Sequence, residues 1–337
     1  MAQTANKLNV RLIGLSLIGL LVIGALIWIY ESKPEAPVVD RAALDINTLE
    51  SRDNNAPAEA NTVESDNNHR AIPGEKDFYE KAFIIAEAQS AGAVNKGSAG
   101  SAPNSDKEIV AGIIPHHLLA ADLIAGLFTN FSGREYDSVV LLGPNHFSAG
   151  NGKVITSLNN WDTPYGVLEA DTELAKGLVK KEIAEADEEI FKREHAIYGL
   201  VSFIKKSFPE AKFLPLVLRP SLDGGEAANL AEAINSLAKG KKVLVLASVD
   251  FSHETDSETA KKNDRQSIEA IGGFKLEEIY KLKLDSSPAI YALMRYAQLK
   301  KANFSLVANS NSAELSGQPE IKNATSYVTG LFWYNKN

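Results

Sequence analysis

The chain has 337 residues, of which 45% are hydrophobic and 23% charged, and this composition predicts one or two globular domains with a sizeable core. Its net charge is −8 and its basic residues form no stripe, which argues against nucleic acid as the main partner. The absence of cysteine excludes disulfides, zinc–thiolate sites and cysteine nucleophiles.

The first feature in chain order is an uncharged apolar segment, Leu12–Tyr30. A helix of this length spans about 28 Å, close to the hydrocarbon thickness of a bilayer. A cleavable signal peptide is the main alternative, but no small-x-small cleavage site follows. We therefore expect residues 1–31 to form a cytoplasmic stub and a transmembrane anchor. Lys7 and Arg11 precede the segment, so the positive-inside rule predicts a single-pass cell-membrane protein whose N-terminus is cytoplasmic and whose globular domain is extracytoplasmic.

Residues 32–106 have the composition of a flexible tether. Pro, Ala, Asn, Asp and Glu dominate the first part, and Gly, Ser and Ala dominate the last. A short amphipathic helix is predicted inside it at Lys76–Ala88, from the spacing of its apolar residues. His69 lies in the first part, and we expect its side chain to be solvated.

Residues 107–337 are predicted to form an α/β domain, because short apolar runs alternate with helical patterns. The predicted strands are Ile109–Pro115, Ser138–Leu142, Val154–Leu158, Lys212–Leu218, Val243–Ala247, Phe304–Asn309 and Thr325–Tyr334. The predicted helices are Leu118–Phe131, Asp171–Glu185, Glu194–Phe208, Gly225–Lys239, Ser257–Ile271 and Ser287–Lys301, with a loop at Asn159–Gly166. This alternation predicts a mixed, mainly parallel sheet sandwiched by helices.

Histidines follow three of the predicted strands directly, in the sequences IVAGIIPHH, VVLLGPNH and VLVLASVDFSH. These histidines are His116 with His117, then His146, then His253. If the strands are parallel neighbours, the imidazoles meet at one edge of the sheet, where open α/β sheets bind ligands. A lone histidine is more simply explained as a structural residue, but three such strand ends together favour a functional site.

Glu194 and His195 open a predicted helix with an acidic group beside an imidazole, and they either line the same pocket or simply act as a pair at the helix N-terminus. Two histidines with an acidic oxygen are typical of non-haem iron sites, whereas three histidines and a water suit zinc. The residues alone leave both open. Gly-rich phosphate loops, serine elbows and HExxH motifs are absent from the sequence.

Several short motifs together make residues 108–334 resemble the MEMO family, also called AmmeMemoRadiSam system protein B. The motifs are Pro115-His116, LLGPNH ending at His146, WDTPYG from Trp161 to Gly166, Asp171, Glu194-His195-Ala196-Ile197, FLPLVL from Phe213 to Leu218, and SVDFSH ending at His253. Their order and spacing carry the resemblance. It implies an α/β sandwich similar to the class III extradiol dioxygenases, with a metal pocket at the strand ends.

The resemblance also implies residue roles. His116 and His146 match the two metal-binding histidines of the family. Asp250 and His253 match pocket residues, with His253 as the acid/base group that Asp250 orients. The family motif at Glu194 lines the same pocket, so Glu194 and the following histidine join the candidate catalytic residues.

Two positions depart from the family pattern. His117 stands where the family often has a small residue, and could be an alternative ligand. The family often supplies its third metal ligand from a cysteine, and this chain has none. Asp285 lies in the equivalent region, and it or a nearby side chain is predicted as the substitute, since a carboxylate is a suitable iron ligand. The alternative is a site that lacks its third ligand and binds metal weakly.

We therefore predict a membrane-anchored protein with a divalent metal pocket, with iron as the leading cofactor and copper or zinc as alternatives. The resemblance implies oxidative, dioxygenase-like chemistry on a small aromatic or oxygen-rich molecule. A non-catalytic module that binds metal, a peptide or a partner is one alternative. A metal-dependent hydrolase is the other.

Overall fold

The structure is a computed structural model, and it describes residues 68–71, 76–94 and 106–336. These residues form an eight-stranded sheet and a separate three-stranded sheet. The strands are β1 His69–Arg70, β2 Lys107–Ile114, β3 Ser138–Pro144, β4 Val154–Thr156, β5 Trp161–Thr163, β6 Gly166–Leu168, β7 Glu185–Ala186, β8 Lys212–Leu218, β9 Val243–Ser248, β10 Asn303–Asn311 and β11 Ser326–Asn335.

The helices are α1 Lys76–Val94, α2 Ala121–Thr129, α3 Thr172–Lys180, α4 His195–Tyr198, α5 Val201–Ser207, α6 Gly224–Leu237, α7 Ser257–Gly272, α8 Ser287–Leu299 and α9 Ser312–Leu315. Short 3₁₀ turns lie at Leu118–Ala120, Ile190–Lys192 and Leu276–Lys281.

Four parallel strands form the centre of the large sheet, in the order β2, β9, β3 and β8. They are buried over most of their length, because their Val, Ile and Leu residues are covered on both faces. Antiparallel β11 and β10 extend the sheet beyond β2, and β4 and β7 extend it beyond β8. The predicted mixed α/β fold is therefore confirmed.

Helices cover both faces of the central strands. On one face, Val140, Val245 and Leu293 of α8 belong to a single hydrophobic cluster, which also contains residues of α6. On the other face, α4 packs closely against β3 at Gly143. A Cβ atom there would lie 3.1 Å from Cδ1 of Ile197 and 3.3 Å from Cβ of Ala196. This contact brings the start of α4 over the carboxyl end of β3.

The predicted transmembrane helix requires a correction. Within the described ranges, no helix combines the length and apolar content needed to cross a membrane. The longest, α1, has 19 residues but carries charges from its first turn onward. The predicted span Leu12–Tyr30 lies outside the described residues. The described residues therefore support a mixed α/β fold with no transmembrane helix among them, and we withdraw the predicted preceding helix and the single-pass membrane localisation based on it.

Other differences are local. The predicted loop at Asn159–Gly166 contains β5 and the start of β6, which pair as an antiparallel hairpin. The predicted helix Glu194–Phe208 is divided into α4 and α5, with Gly199 and Leu200 between them. The expectation that His69 is solvated is wrong, because its side chain is buried and its strand pairs with β5.

Candidate metal centre

The predicted site residues converge at the carboxyl edge of the central strands. β9 lies between β2 and β3, so the segments that follow these three strands are neighbours. The site has a buried floor and an open rim. The side chains of the floor are less than a tenth exposed, and they are His116, Asp250 and Asp285. The side chains of the rim are 25%, 40% and 44% exposed, and they are His146, His195 and His253.

The carboxylate of Asp285 is the common neighbour of three imidazoles. Its Oδ2 lies 3.4 Å from Nε2 of His116, 3.9 Å from Nε2 of His146 and 4.0 Å from Nε2 of His253. The same oxygen accepts a hydrogen bond of 3.1 Å from the backbone N–H of Asp250. The backbone N–H of Asp285 donates in return to the carbonyl of Asp250 at 3.2 Å. These reciprocal bonds fix the segment before α8 against the segment after β9.

The other oxygen of Asp285, Oδ1, is buried and has no hydrogen-bond partner among the described residues. An unpaired buried oxygen of this kind costs free energy unless a further group satisfies it. A cation is the group that suits a carboxylate beside several imidazoles. The donor set therefore fits a divalent metal ion.

The Nε2 atom of His116 faces the carboxylate of Asp285 and carries a lone pair. The hydroxyl of Ser248 donates to the carbonyl of Ala196 at 2.7 Å, so its oxygen is free to accept from Nδ1–H of His116 at 3.1 Å. With the proton on Nδ1, Nε2 is unprotonated. Burial, followed by the neighbouring histidines, holds the pKa of His116 well below its usual 6.5. The neutral imidazole is the form that binds metals.

Glu194 holds the proton of His146 on Nδ1, as Ser248 does for His116. Its Oε1 accepts from Nδ1–H of His146 at 2.7 Å, and its Oε2 accepts from the backbone N–H of His146 at 3.0 Å. Glu194 is fully buried and caps α4 by accepting from the backbone N–H of Ala196. This arrangement leaves Nε2 of His146 facing the pocket, as in the carboxylate–histidine–metal arrangement. Glu194 therefore acts through His146.

His195 adds a third imidazole on the same side. Its ring stacks on that of His146, with centroids 4.2 Å apart, and lies 5.3 Å from the ring of His116. Two overlapping groups in the described part of the chain have ligand atoms within 4.8 Å of one another. One contains His116, His146 and His195, and the other contains His116, Asp250 and Asp285.

Asp250 holds the backbone of the first strand end. Its Oδ1 accepts from the backbone N–H of His116 at 3.1 Å, and its Oδ2 lies 3.8 Å from Nε2 of the same residue. Burial raises the pKa of Asp250, against hydrogen bonds from the backbone that lower it. Burial and the charge of Asp250 likewise raise the pKa of Asp285. Two buried carboxyl groups this close favour a shared proton or a cation.

His253 has a different orienting partner from the predicted one. Within residues 106–336, no hydrogen bond joins it to Asp250; the hydroxyl of Thr325 lies 3.4 Å from its Nδ1 instead. Its Nε2 faces Asp285. Burial lowers the pKa of His253. Thr325 is a site residue that sequence reasoning missed, since it lies 72 residues along the chain with no local motif.

His117 has a structural contact that occupies its Nδ1 atom. Nδ1 accepts from the backbone N–H of Leu119 at 3.3 Å and caps the 3₁₀ turn Leu118–Ala120. The ring also stacks on Tyr327, with centroids 5.9 Å apart. This capping contact explains the orientation of the His117 side chain without a metal ion. The roles of the other site residues in metal binding or catalysis stay predictions.

Comparisons with known proteins agree with the motifs. A family model described as Memo-like protein matches residues 86–330. A MEMO1 family protein of Pyrobaculum aerophilum is 28% identical over 244 residues, which cover 68% of this chain and 86% of the relative. A MEMO1 family protein of Aquifex aeolicus is 30% identical over 204 residues, which cover 58% of this chain and 75% of the relative.

Among solved structures, an uncharacterized protein of Escherichia coli K12 aligns with a TM-score of 0.46 and 11% identity, covering 66% of this chain and 99% of that one. The family match extends over more than half of the chain and includes the strand ends with His116, His146 and His253. The chain therefore belongs to the Memo-like protein family.

Proposed function

We propose that this chain binds one divalent metal ion through Nε2 of His116, Nε2 of His146 and the carboxylate of Asp285. The observation that carries the proposal is Asp285 Oδ2, which lies 3.4 Å and 3.9 Å from the two Nε2 atoms. Ligand atoms that share one metal at about 2.0–2.2 Å lie roughly 3–3.5 Å apart, so the distance to His116 is within this range and the distance to His146 is slightly longer. Two histidines and one carboxylate with open positions are typical of non-haem iron(II) sites, so iron(II) is the metal that we propose.

We further propose that the bound metal supports an oxidoreductase reaction on a small, oxygen-rich molecule. The metal would supply Lewis acidity and redox chemistry. His253 stands at the exposed rim with Nε2 toward Asp285, and Thr325 lies at its other nitrogen. A neutral imidazole in this position can take a proton from a substrate hydroxyl and return it. Asp250 and Glu194 keep the two ligand histidines in position through their hydrogen bonds.

A second candidate function is metal-dependent hydrolysis. The group of His116, His146 and His195 has the composition of a catalytic zinc site, which leaves one position for water. In that case His195 is the third ligand and Asp285 is a neighbour. The identity of the third ligand therefore distinguishes the two candidates.

The metal content of the full chain tests the proposal. Protein stripped with a chelator is titrated anaerobically with iron(II), and separately with zinc and copper, and bound metal is measured by elemental analysis. We expect one iron per chain, lost in the His116→Ala/His146→Ala double variant and retained in His117→Ala, the matched control. Wild-type protein that binds none of the three metals would overturn the proposal.

Two further measurements separate the candidates. Loss of metal in Asp285→Asn but not in His195→Ala supports the carboxylate ligand, and the reverse result supports the zinc-type group. Oxygen consumption by the iron-loaded chain with catechol-like molecules tests for oxidative turnover. Stoichiometric iron with no oxygen consumption would leave a metal-binding module and refute the oxidoreductase reaction for these molecules.

A further inference from the structure

A second polar cluster lies away from the metal centre, around the buried side chain of His69. Residues 68–71 add a parallel strand to the free edge of β5. The backbone N–H of His69 donates to the carbonyl of Asn160 at 2.8 Å, and that of Ala71 donates to the carbonyl of Asp162 at 3.0 Å. This is how extended peptides dock on sheet edges in many recognition domains.

The imidazole of His69 fills a pocket with a polar end and an aromatic wall. Its Nε2 lies 2.6 Å from Oε2 of Glu188 and 3.1 Å from the hydroxyl of Ser157. The ring packs against Trp161 at 4.7 Å and Phe191 at 5.8 Å between centroids. Both aromatic rings are almost completely buried.

The hydrogen bonds in this cluster exclude a hydrolytic triad. Ser157 and Glu188 contact the same nitrogen of His69, and the Ser157 hydroxyl donates to Glu188. The serine therefore has no base to activate it, unlike the serine of a Ser–His–acid triad. The remaining oxygen of Glu188 accepts from the backbone N–H of Leu158 at 2.8 Å. The pocket is built to hold an imidazole.

The shape and charge of the pocket select histidine over other side chains. A phenylalanine would fill the aromatic wall but would leave Oε2 of Glu188 with Ser157 as its remaining donor. A glutamine would reach the carboxylate but has no ring to pack against Trp161 and Phe191. A flat ring with a polar N–H satisfies both the polar end and the aromatic wall of the pocket.

The same pocket touches the turn that carries Glu194. Glu188 and Phe191 flank Ile190, whose carbonyl accepts from the backbone N–H of Glu194 at 3.1 Å. Glu194 in turn fixes His146 at the metal centre. A ligand that anchors Glu188 and packs on Phe191 therefore restrains the turn on which the His146 contact depends.

We propose that the groove along β5, with its pocket of Ser157, Trp161, Glu188 and Phe191, is a recognition site for an extended segment that bears a histidine. The chain's own residues 68–71 occupy this site in cis. Occupancy fixes the Ile190–Lys192 turn and so supports the His146–Glu194 contact. The docking step is independent of the proposed function, whereas the effect on metal affinity rests on it.

Limited trypsin digestion of the full chain tests the docking. Trypsin cuts the bond between Arg70 and Ala71. The backbone N–H groups of Ala71 and of His69, on either side of Arg70, are both paired with the β5 edge, so cleavage there requires the segment to leave the groove. We expect His69→Ala to speed cleavage at this bond by about tenfold or more, because a hydrogen bond to a charged group and the packing of the ring against Trp161 and Phe191 are both lost. Asn68→Ala is the matched control, since it removes only an exposed hydrogen bond to Asp162. Equal cleavage in wild type and His69→Ala would overturn the proposal.

A labelled peptide with the sequence of residues 66–72, DNNHRAI, tests recognition directly. Fluorescence anisotropy should show that it binds His69→Ala, whose pocket lacks its imidazole, more tightly than wild type. The same peptide with alanine in place of histidine should not bind. Equal binding of both peptides, or binding of neither, would contradict a histidine-specific site.

Metal titration of the same His69→Ala protein tests the link to the metal centre. We expect its iron affinity to fall several-fold and to recover when the histidine peptide is added at saturation. Unchanged affinity in a variant that still binds the peptide would overturn the link. If wild type binds no metal, the proposed function fails, while the digestion and anisotropy results still decide the recognition site.

Discussion

Nδ1 of His146 lies 2.7 Å from Oε1 of Glu194, and the second oxygen of that carboxylate accepts from the backbone N–H of the same histidine. A single buried acidic side chain thus fixes the ring, the tautomer and the main chain of one candidate ligand. The helix that it caps begins at the next residue. The orientation of His146 and the formation of α4 therefore depend on the same residue.

Replacement of Glu194 should lower metal affinity without removing a ligand. Glu194→Gln keeps the size and one acceptor but loses the charge, and we expect iron affinity to fall about 10–100-fold, as for other groups that support a metal-bound histidine. Glu194→Ala also leaves buried N–H groups without acceptors, which should lower the free energy of unfolding by about 1–3 kcal/mol. Calorimetric titration and urea unfolding measure the two effects. Glu189→Gln is the control, because Glu189 is exposed. An equal loss of iron affinity in that variant would refute the role of Glu194.

Replacement of Asp285 by cysteine should put a sulfur ligand on the metal. The chain has no other cysteine, so a thiolate-to-metal charge-transfer band in the cobalt(II)-loaded protein can come only from this position. We expect the band in Asp285→Cys and not in wild type. Asp285→Asn should show no band and an affinity at least about 100-fold lower, because an amide is a poor substitute for a carboxylate ligand. Cobalt bound to Asp285→Cys without the band would show that this side chain does not reach the metal.

Replacement of His117 should affect stability and leave metal binding intact. The imidazole caps the Leu118–Ala120 turn by accepting from the backbone N–H of Leu119. Loss of such a cap costs about 1 kcal/mol. We expect His117→Ala to unfold at a lower urea concentration and His117→Asn, which retains a capping acceptor, to lie between it and wild type. A fall in iron stoichiometry in either variant would contradict this assignment.

Asp264 should make stability depend on pH. Its carboxylate is buried in α7, where it accepts from the hydroxyl of Ser326 at 2.6 Å and from Nδ2 of Asn309 at 2.7 Å. Burial raises its pKa above the ordinary 3.8, although the hydrogen bonds lower it. The folded state therefore binds this proton more tightly than the unfolded state. The contribution of Asp264 to the free energy of unfolding therefore grows as the pH falls through the raised pKa, and it is complete below pH 3.8.

The Asp264→Asn variant tests this direction, because its amide does not titrate. The difference in urea midpoint, wild type minus variant, should increase as the pH is lowered from 7 toward 4. The amide of Asn309 can turn to present its oxygen to the new Asn side chain, which limits the loss at neutral pH. A difference that stays constant or shrinks on acidification would be inconsistent with a raised pKa.

The strand ends of the site could be predicted from the sequence, since each combines an apolar run with a histidine directly after it. Parallel neighbours must bring such positions to one edge, and the order β2, β9, β3 does so for His116, His253 and His146. Asp285 was identified only through the family resemblance, because it lies in no strand pattern.

The acidic partners of His146 and His69 could not be predicted, because each is distant from its histidine in the chain. Glu194 lies 48 residues from His146, and Glu188 lies 119 residues from His69. No local periodicity marks such a pair. The two-residue strand β1 is also too short to show any alternation, and its polar surroundings favour a solvated segment. Only the packed tertiary structure shows that His69 has a pocket.

The position of β11 has a consequence for synthesis of the protein. This last strand lies between β10 and β2, and Gly330 pairs with Ile113, at the far end of the domain sequence. Thr325, which lies beside His253, immediately precedes the same strand. The sheet and the metal pocket therefore cannot close before residues 325–335 have been synthesised. Contacts of such long sequence separation also form slowly, so the edge of β2 stays open during folding until β11 is available to pair with it.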